Sequence, residues 1–501
     1  MENNVKDLQY INFAQYIIAN KSSDKIAVID DEKSMTYNEL IASIKSFANQ
    51  LKQRGIMSGD PVMVNMDESV KWAVAFLSLI YIGATVVLTS NRMGVKVLTE
   101  ISDVCRARAV IWQAHDDEFD KVLIQQNIIS IDKKEIVNDG TSLEEYYQYD
   151  PDEICIWGTS SGTMGGKRKY ILHRHAAIYL GTQKMIVPYN FTSSSVIYTT
   201  PKLSFLYGFN ELMLSLTVGA TDIISNRIPV KDNIIDTITK NKVTHFITTP
   251  TPVVHMVKHD ETPTDMLKQL EVLIVAGEPL PKSIAVKFQD VYGIPLLDGH
   301  GMCESMNVTL GQTPDCIKLG TMGKPLPGVE CEIRRPDGML CAPNEPGILY
   351  LKDASQAICY HNNWSSTKFT FCGAWMRTND VCYVDDEGFY TYVCRNDELL
   401  KVNGLLVTPT EIENILLTNP TVDECVVTHC KNRHGLDEIE AYIVLRDGKI
   451  STITDIKEFL SLNIEDYKIP KTIRFVTELP KTVTSKKIRN NSMIQNYYLD
   501  A

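Results

Sequence analysis

The sequence predicts an α/β protein: a large N-terminal domain of helix-covered sheets with a small β subdomain, followed by a small α+β domain. Three observations predict it. Up to about residue 390, short β-rich apolar runs alternate with amphipathic stretches, the pattern of parallel strands covered by helices. Gly328–Leu351 breaks that rhythm with ECEIRRPDG and then GILYL, a hairpin-like pattern turning at Asp337-Gly338. The last stretch, about 100 residues, combines helix starts with further apolar runs and has the size of a small separate domain.

In chain order, amphipathic Tyr37–Arg54 reads as a helix and VMVNM (Val62–Met66) as a strand. The longest apolar stretch, Trp72–Leu88, is short for a membrane span, and Gly83 splits it. It reads as a buried helix ending near Ile82 and a strand over Ala84–Leu88. Helices follow at Val95–Val104 and Ser283–Tyr292, and strands at Ala107–Trp112, Ser195–Thr200, Thr244–Thr249 and Glu271–Gly277. Thr408, Pro409 and Glu411 form a capping box with proline in the first turn, so a helix starts there. Strand-like ECVVTHC and EAYIVL and the helix Ile453–Leu462 complete the chain. The boundary falls where the sequence turns charged, between Arg395 and Lys401, giving domains 1–396 and 397–501.

Composition narrows the function. A hydrophobic fraction of 44% and a charged fraction of 22% are ordinary for a globular protein. The net charge of -12 leaves no basic surplus to displace counterions, which argues against a nucleic-acid partner. The N-terminus MENNVKDLQYINF has neither a basic start nor a long apolar run, so no signal peptide is expected. The twelve cysteines show no CxxC pair and read as small buried hydrophobes of a cytoplasmic protein. His255 and His259, one helical turn apart, lack a third ligand at metal-site spacing.

One loop carries the chemistry. From Gly158 to His175 the chain reads GTSSGTMGGKRKYILHRH. Small residues let a backbone wrap an anion closely, with hydroxyl and N–H groups as donors. Lys167, Arg168 and Lys169 then offset phosphate charge, so the loop suits a nucleoside triphosphate. It is not a Walker A loop, because the Gly162-to-Lys167 spacing is one residue short. DGHGMCES (Asp298–Ser305) puts Glu304 behind two glycines, where a carboxylate holds Mg²⁺ on phosphate oxygens. WMRTNDVCYVDDEGFY (Trp375–Tyr390) puts Asp380 after a strand end, where it accepts both hydroxyls of a ribose. CRNDELLKVNGLLVTPTEIE (Cys394–Glu413) holds Arg395, Asp397, Lys401 and Gly404, and LPKTVTSKKIRN (Leu479–Asn490) holds Lys486. Taken singly, these segments also read as surface turns, a charged helix start and a solvated basic tail.

In order and separation, the five segments resemble the adenylate-forming superfamily: acyl- and aryl-CoA ligases, adenylation domains of nonribosomal peptide synthetases, and beetle luciferases. The resemblance runs from TYNEL (Thr36–Leu40) to Arg489. Within the superfamily the chain is most similar to the benzoate- and anthranilate-CoA ligase branch. The stretches that carry this are PKLSFLYGFNE (Pro201–Glu211), AGEPLP (Ala276–Pro281), GKPLPGVECEIRRPDG (Gly323–Gly338) and DEGFYTYVCRNDELLKVNGLLVTPTEIE (Asp386–Glu413).

The resemblance implies ATP, Mg²⁺ and CoA, with Lys486, Glu304 and Thr163 as the catalytic set and Glu304 as the metal ligand. Ser160, Ser161, Gly162, Thr163 and Gly165 would fold over the β- and γ-phosphates. Which of Lys167, Arg168 and Lys169 fills the family lysine's role stays open. Gly277, Glu278, Pro279, Asp298, Gly299, His300, Gly301, Met302 and Cys303 would border the nucleotide, with Cys303 in the place of the usual Thr. Asp380, preceded by Asn379 where Gly is usual, would hold the ribose, with Arg395 and Lys401 nearby. The small domain would be mobile and swing at Asp397: one pose brings Lys486 in, while the other presents Asn403 and Gly404 to a thiol channel. The acid would lie among Phe205, Tyr207, Gly208, Ala276, Gly277, Gly299, Gly301 and Met302, an apolar and aromatic wall that suits an aryl or medium apolar acid. LSFLYGFNE lacks the Asp that holds an α-ammonium in amino-acid-activating relatives, although Glu211 is close. The expected reaction is adenylation of the carboxylate, then thioester formation with CoA. The alternatives are loading of a carrier-protein phosphopantetheine thiol, and a degenerate member that binds without turnover.

Overall fold

The computed structural model describes residues 11–113, 116–160, 168–258, 267–397, 399–402, 405–431, 437–480, 494 and 497. The chain forms two compact units. One comprises Met1–Leu280, Ile284–Glu330 and Lys352–Met376, the other Pro281–Ser283, Cys331–Leu351 and Arg377–Ala501.

Short runs rich in Val and Ile make the strands of the first unit, buried on both faces as parallel sheets require. One sheet has seven strands, in spatial order Cys359–Tyr360, Lys169–Arg174, Ile154–Ser160, Thr85–Leu88, Pro61–Asn65, Ala109–Trp112 and Ile129–Asp132. The other has nine: Lys324–Pro325, Val308–Gly311, Leu297–Gly301, Val272–Ala276, His245–Thr248, Val196–Thr199, Thr221–Ile223, Ile26–Ile29 and Ser34–Thr36. Their central strands pair in parallel, so helices must carry the chain back between them.

The helix Val70–Ile82 buries every residue except Lys71, as an all-round apolar helix must. Trp72 stacks on Phe76 at a ring-centroid distance of 5.7 Å, and Phe76 meets Phe209 of the helix Leu206–Val218 edge-on at 4.8 Å. One core joins these rings to Val62 and Val64 of the seven-stranded sheet and to Ala27 and Val28 of the nine-stranded one. Gly83 ends the helix at φ 84°, and a Cβ there would lie 2.3 Å from Tyr147 Cγ. The apolar run therefore breaks at Gly83 and resumes as the strand Thr85–Leu88. Among the described residues, no helix is long and apolar enough to cross a membrane.

The expected hairpin residues form the strands Val329–Arg334 and Gly347–Asp353, neighbours in a five-stranded sheet. Gly338, at φ 88°, donates to Arg335 O at 2.9 Å and closes the Asp337-Gly338 turn. In the second unit, the strands Val422–Lys431, Asp437–Leu445 and Thr472–Phe475 enclose a core with the helices Pro409–Leu416 and Ile453–Ser461. The expected capping box at Thr408 does not form. The helix begins there with its proline, but the Thr408 side chain accepts no cap bond. Glu411, the residue that should close the box, instead takes Lys468 Nζ at 2.6 Å.

Candidate active site

The segment after the strand Leu297–Gly301 is buried, not a surface turn. It forms a 3-10 turn, Cys303–Ser305, and a donor meets each carbonyl from Met302 to Asn307. Ser305 N and Oγ both donate to Met302 O at 3.0 Å, and Ser305 Oγ also reaches Asn307 O at 3.1 Å. His173 Nε2 donates to Cys303 O at 2.8 Å; burial holds this histidine down at about 4, so it stays neutral. Ala357 N donates to Glu304 O at 2.7 Å. Lys184 Nζ at 3.1 Å and Ser355 Oγ at 2.9 Å donate to Ser305 O. Asn210 Nδ2 donates to Met306 O. Met306 sits at φ 66° and ψ −44°, which a side-chain-bearing residue rarely adopts, in a γ-turn closed by Asn307 N on Ser305 O at 2.7 Å. Strain of this kind persists only where the surroundings impose it, and here the donors on six successive carbonyls do.

The product of this clamping is the placement of Glu304, whose side chain is buried. Tyr360 Oη donates to Glu304 Oε1 at 2.7 Å. Burial and the Glu304 charge push the Tyr360 phenol far up, so it remains a donor. Lys169 Nζ lies 4.7 Å from the centre of the Tyr360 ring. Lys169 opens the strand Lys169–Arg174 and pairs with Ser160, so the two residues flank the hydroxyl-rich loop. Beneath the turn, Lys184 and Asp353 form an ion pair at 2.5 Å with side chains only 3% and 4% exposed.

The expected acid-pocket residues of this unit come together. Gly299 pairs with Ala276 on one side and Gly311 on the other. A Cβ on Gly299 would sit 3.1 Å from Val308 Cγ1, so the missing side chain leaves the floor open. Phe205, Tyr207, Gly277, Glu278, His300, Gly301, Met302 and Cys303 keep partial exposure, while Ala276, Asp298 and Gly299 behind them are buried. Pro279 is exposed. Tyr207 Oη reaches Thr248 O at 3.5 Å, and Gly208 fits where a Cβ would lie 2.3 Å from Pro201 O. The preceding loop is pinned by Glu68, whose Oε2 accepts Leu203 N at 2.7 Å. Burial pushes the Asp298 carboxyl well up.

In the second unit one expectation is corrected. Asp380 does not follow a strand end; it lies inside the strand Trp375–Val384, buried on the same side as Met376 and Thr378. The polar run RTND hid this, because its alternation matters more than its mean polarity. Asp380 Oδ1 takes Arg395 Nη1 at 3.0 Å. Asn379 donates from Nδ2 to Asp397 Oδ1 at 2.6 Å, tying a strand residue to the expected hinge. Lys401 lies in the strand Leu400–Val402.

Ser161, Gly162, Thr163, Gly165, Lys167, His259, Asn403, Gly404, Ser485 and Lys486 lie outside the described residues. Sequence reasoning missed Tyr360, Lys184, Asp353, Ser355, His173 and Asn210, all of which hold Glu304 or its turn. One signal was available: Lys184 is the only charge in AAIYLGTQKMI.

The model of the AMP-binding enzyme matches residues 17–361, and that of the AMP-binding enzyme C-terminal domain matches 411–486. The chain belongs to the AMP-binding enzyme family. Across 99% of both chains it is 28% identical to the 3-hydroxybenzoate--CoA/4-hydroxybenzoate--CoA ligase of Thauera aromatica. Its fold matches the anthranilate CoA ligase AuaEII in complex with anthranoyl-AMP, with a TM-score of 0.88 and 27% identity over 99% of this chain and 98% of that one. It also matches a benzoate CoA ligase from Burkholderia xenovorans LB400, with a TM-score of 0.86 and 28% identity over 98% and 100%. AMP-binding enzymes of this similarity share the helix-covered sheets and the small C-terminal α/β domain.

Proposed function

We propose that this AMP-binding enzyme is an ATP-dependent ligase that joins an aryl carboxylic acid to the thiol of CoA through an aryl-AMP intermediate. The observation that carries the reading is the Glu304 turn: a buried carboxylate, clamped at every carbonyl, beside a lysine that flanks the Ser/Thr/Gly loop.

A carboxylate is a poor electrophile because its charge repels nucleophiles. Its oxygen attacks the α-phosphorus of ATP, the bond to pyrophosphate breaks, and aryl-AMP forms. The CoA thiolate then attacks the carbonyl, and AMP leaves with the electron pair. Charge on phosphate oxygens dominates the first barrier, so cations are what the site must supply. Ser160, Ser161, Gly162, Thr163 and Gly165 wrap the β- and γ-phosphates. Lys169, rather than Lys167 or Arg168, acts as the loop cation, since it reaches Tyr360 and through it Glu304. One carboxylate oxygen held by a phenol suits a hard cation that takes its other oxygens from phosphate and water. Glu304 would thus hold Mg²⁺, which neutralises phosphate charge. Asp380, oriented by Arg395, takes the ribose hydroxyls. The C-terminal domain, 397–501, turns at Asp397 between the two steps, so one pocket serves two geometries. Lys486 enters for the first and Asn403–Gly404 for the second. CoA is the acceptor rather than a carrier-protein thiol, because the similar proteins named above are CoA ligases. The reaction takes place in the cytoplasm, consistent with the unpatterned cysteines.

ATP–pyrophosphate exchange over benzoates, anthranilate, cinnamates and short fatty acids tests this directly. Exchange with aryl acids, followed by thioester formation with free CoA, is expected; exchange with none would overturn the reading. Lys486→Ala is expected to cut exchange by about 100-fold or more while sparing thioester formation from preformed aryl-AMP. Equal loss of both steps would remove Lys486 from its assigned role.

A further inference from the structure

Behind the acid pocket lies a set of buried polar atoms that the reaction does not use. Glu211 follows Tyr207 by about one turn of the helix Leu206–Val218, so the two share a side of it. Glu211 is fully buried, and neither of its carboxyl oxygens has a hydrogen-bond partner among the described residues. Tyr189 is also fully buried, with an unpartnered hydroxyl. The Asn307 side chain lies beside Glu211 and favours its ionised form, but its Nδ2 makes no hydrogen bond of ordinary length among the described residues. Tyr189 and Tyr207 both lie close enough to Glu211 for its ionisation to raise their phenols. Burial and the neighbouring Asp222 carboxyl push Glu211 up to about 8, so at neutral pH it is a protonated acid.

The set adjoins the pocket. Tyr189 Oη lies 2.1 Å from where a Cβ on Gly311 would be, and Gly311 pairs with Gly299, which pairs with Ala276. The glycine floor therefore runs from the acid-pocket residues to the hydroxyl of Tyr189. Buried polar atoms are rarely left unpaired, and four from three separate elements point to a missing partner. A protonated carboxyl donates from one oxygen and accepts at the other. A hydroxyl does the same, so the two satisfy each other, whereas a bare aromatic ring offers neither.

We propose that Glu211, with Tyr189 and Asn307, reads a hydroxyl on the ring of the acid, which makes a hydroxylated aryl carboxylate the preferred substrate. This rests on the aryl-CoA ligase reading above.

The test is ATP–pyrophosphate exchange with benzoate, 3-hydroxybenzoate and 4-hydroxybenzoate. In the wild type, at least one hydroxybenzoate is expected to exceed benzoate about tenfold in kcat/KM. Glu211→Leu is expected to reduce that ratio about tenfold, mainly through KM, because a lost contact in the bound state changes binding. Glu211→Gln keeps a donor and an acceptor and should retain most of the ratio. Tyr189→Phe removes a single oxygen and serves as the second variant if Glu211→Leu does not fold. A wild-type ratio near one, or a ratio unmoved in both Glu211→Leu and Tyr189→Phe, would mean that internal water completes the set, and would overturn the proposal. Exchange with no aryl acid at all would sink the ligase reading, and this assignment with it.

Discussion

Lys184→Met is expected to destabilise the protein by about 3–5 kcal/mol, because it leaves Asp353 as an uncompensated charge in a dry site. It should also slow adenylation about tenfold or more, since Ser305 O loses its ammonium donor and the turn carrying Glu304 loosens. The double variant Lys184→Met/Asp353→Leu separates the two effects. Replacing both charges by apolar groups of similar volume is often nearly neutral for stability, so its urea midpoint should return close to wild type. Exchange activity should not return, because Ser305 O still lacks Nζ. Recovery of both together would show that the pair supports the fold and nothing more. Ser355 Oγ also donates to Ser305 O, which limits the catalytic loss and makes Ser355→Ala in the double-variant background the stronger probe.

Raising the pH is expected to weaken the protein well before any surface group matters. Glu211 and Asp222 are each pushed up to about 8 from ordinary carboxylate values by burial, and Glu211 also by Asp222; Glu68 is pushed up to about 7 by burial. A group whose folded pKa is raised stabilises fully below its unfolded pKa and loses that contribution as pH climbs to the folded value. Between pH 5 and 7 the folded chain therefore holds protons that the unfolded chain has released, at about 1.4 kcal/mol per pH unit for each such group. His173, held at about 4, works the other way, its contribution growing as pH rises from 4 to 6.5, but it is one group against three. With three such carboxyls against one histidine, thermal melts should be highest near pH 4–5 and fall until about pH 8, where the folded carboxyls have also ionised. Glu211→Gln with Asp222→Asn should flatten the alkaline limb, and a limb of unchanged steepness in that variant would contradict the assignment.

The sequence itself carried the chemistry that is contiguous: the Ser/Thr/Gly loop with its cations, the glycine turn before Glu304, and the order of five motifs along the chain. It also carried the local breaks, such as Gly83, because backbone geometry there depends on one residue and its neighbours. Most expected strands and helices formed at the expected places for the same reason. Tertiary structure decided what depends on residues far apart in the chain. Tyr360 meets Glu304 across 56 positions, and Lys184 meets Asp353 across 169. No local pattern encodes such pairs, since hydrogen bonds and ion pairs form between whichever groups packing brings within 3 Å. Packing likewise set Lys169 over the Tyr360 ring, and it put Asp380 inside a strand. It also buried Glu211 beside Asp222 and Asn307, where a helix face read alone shows only a single acidic residue.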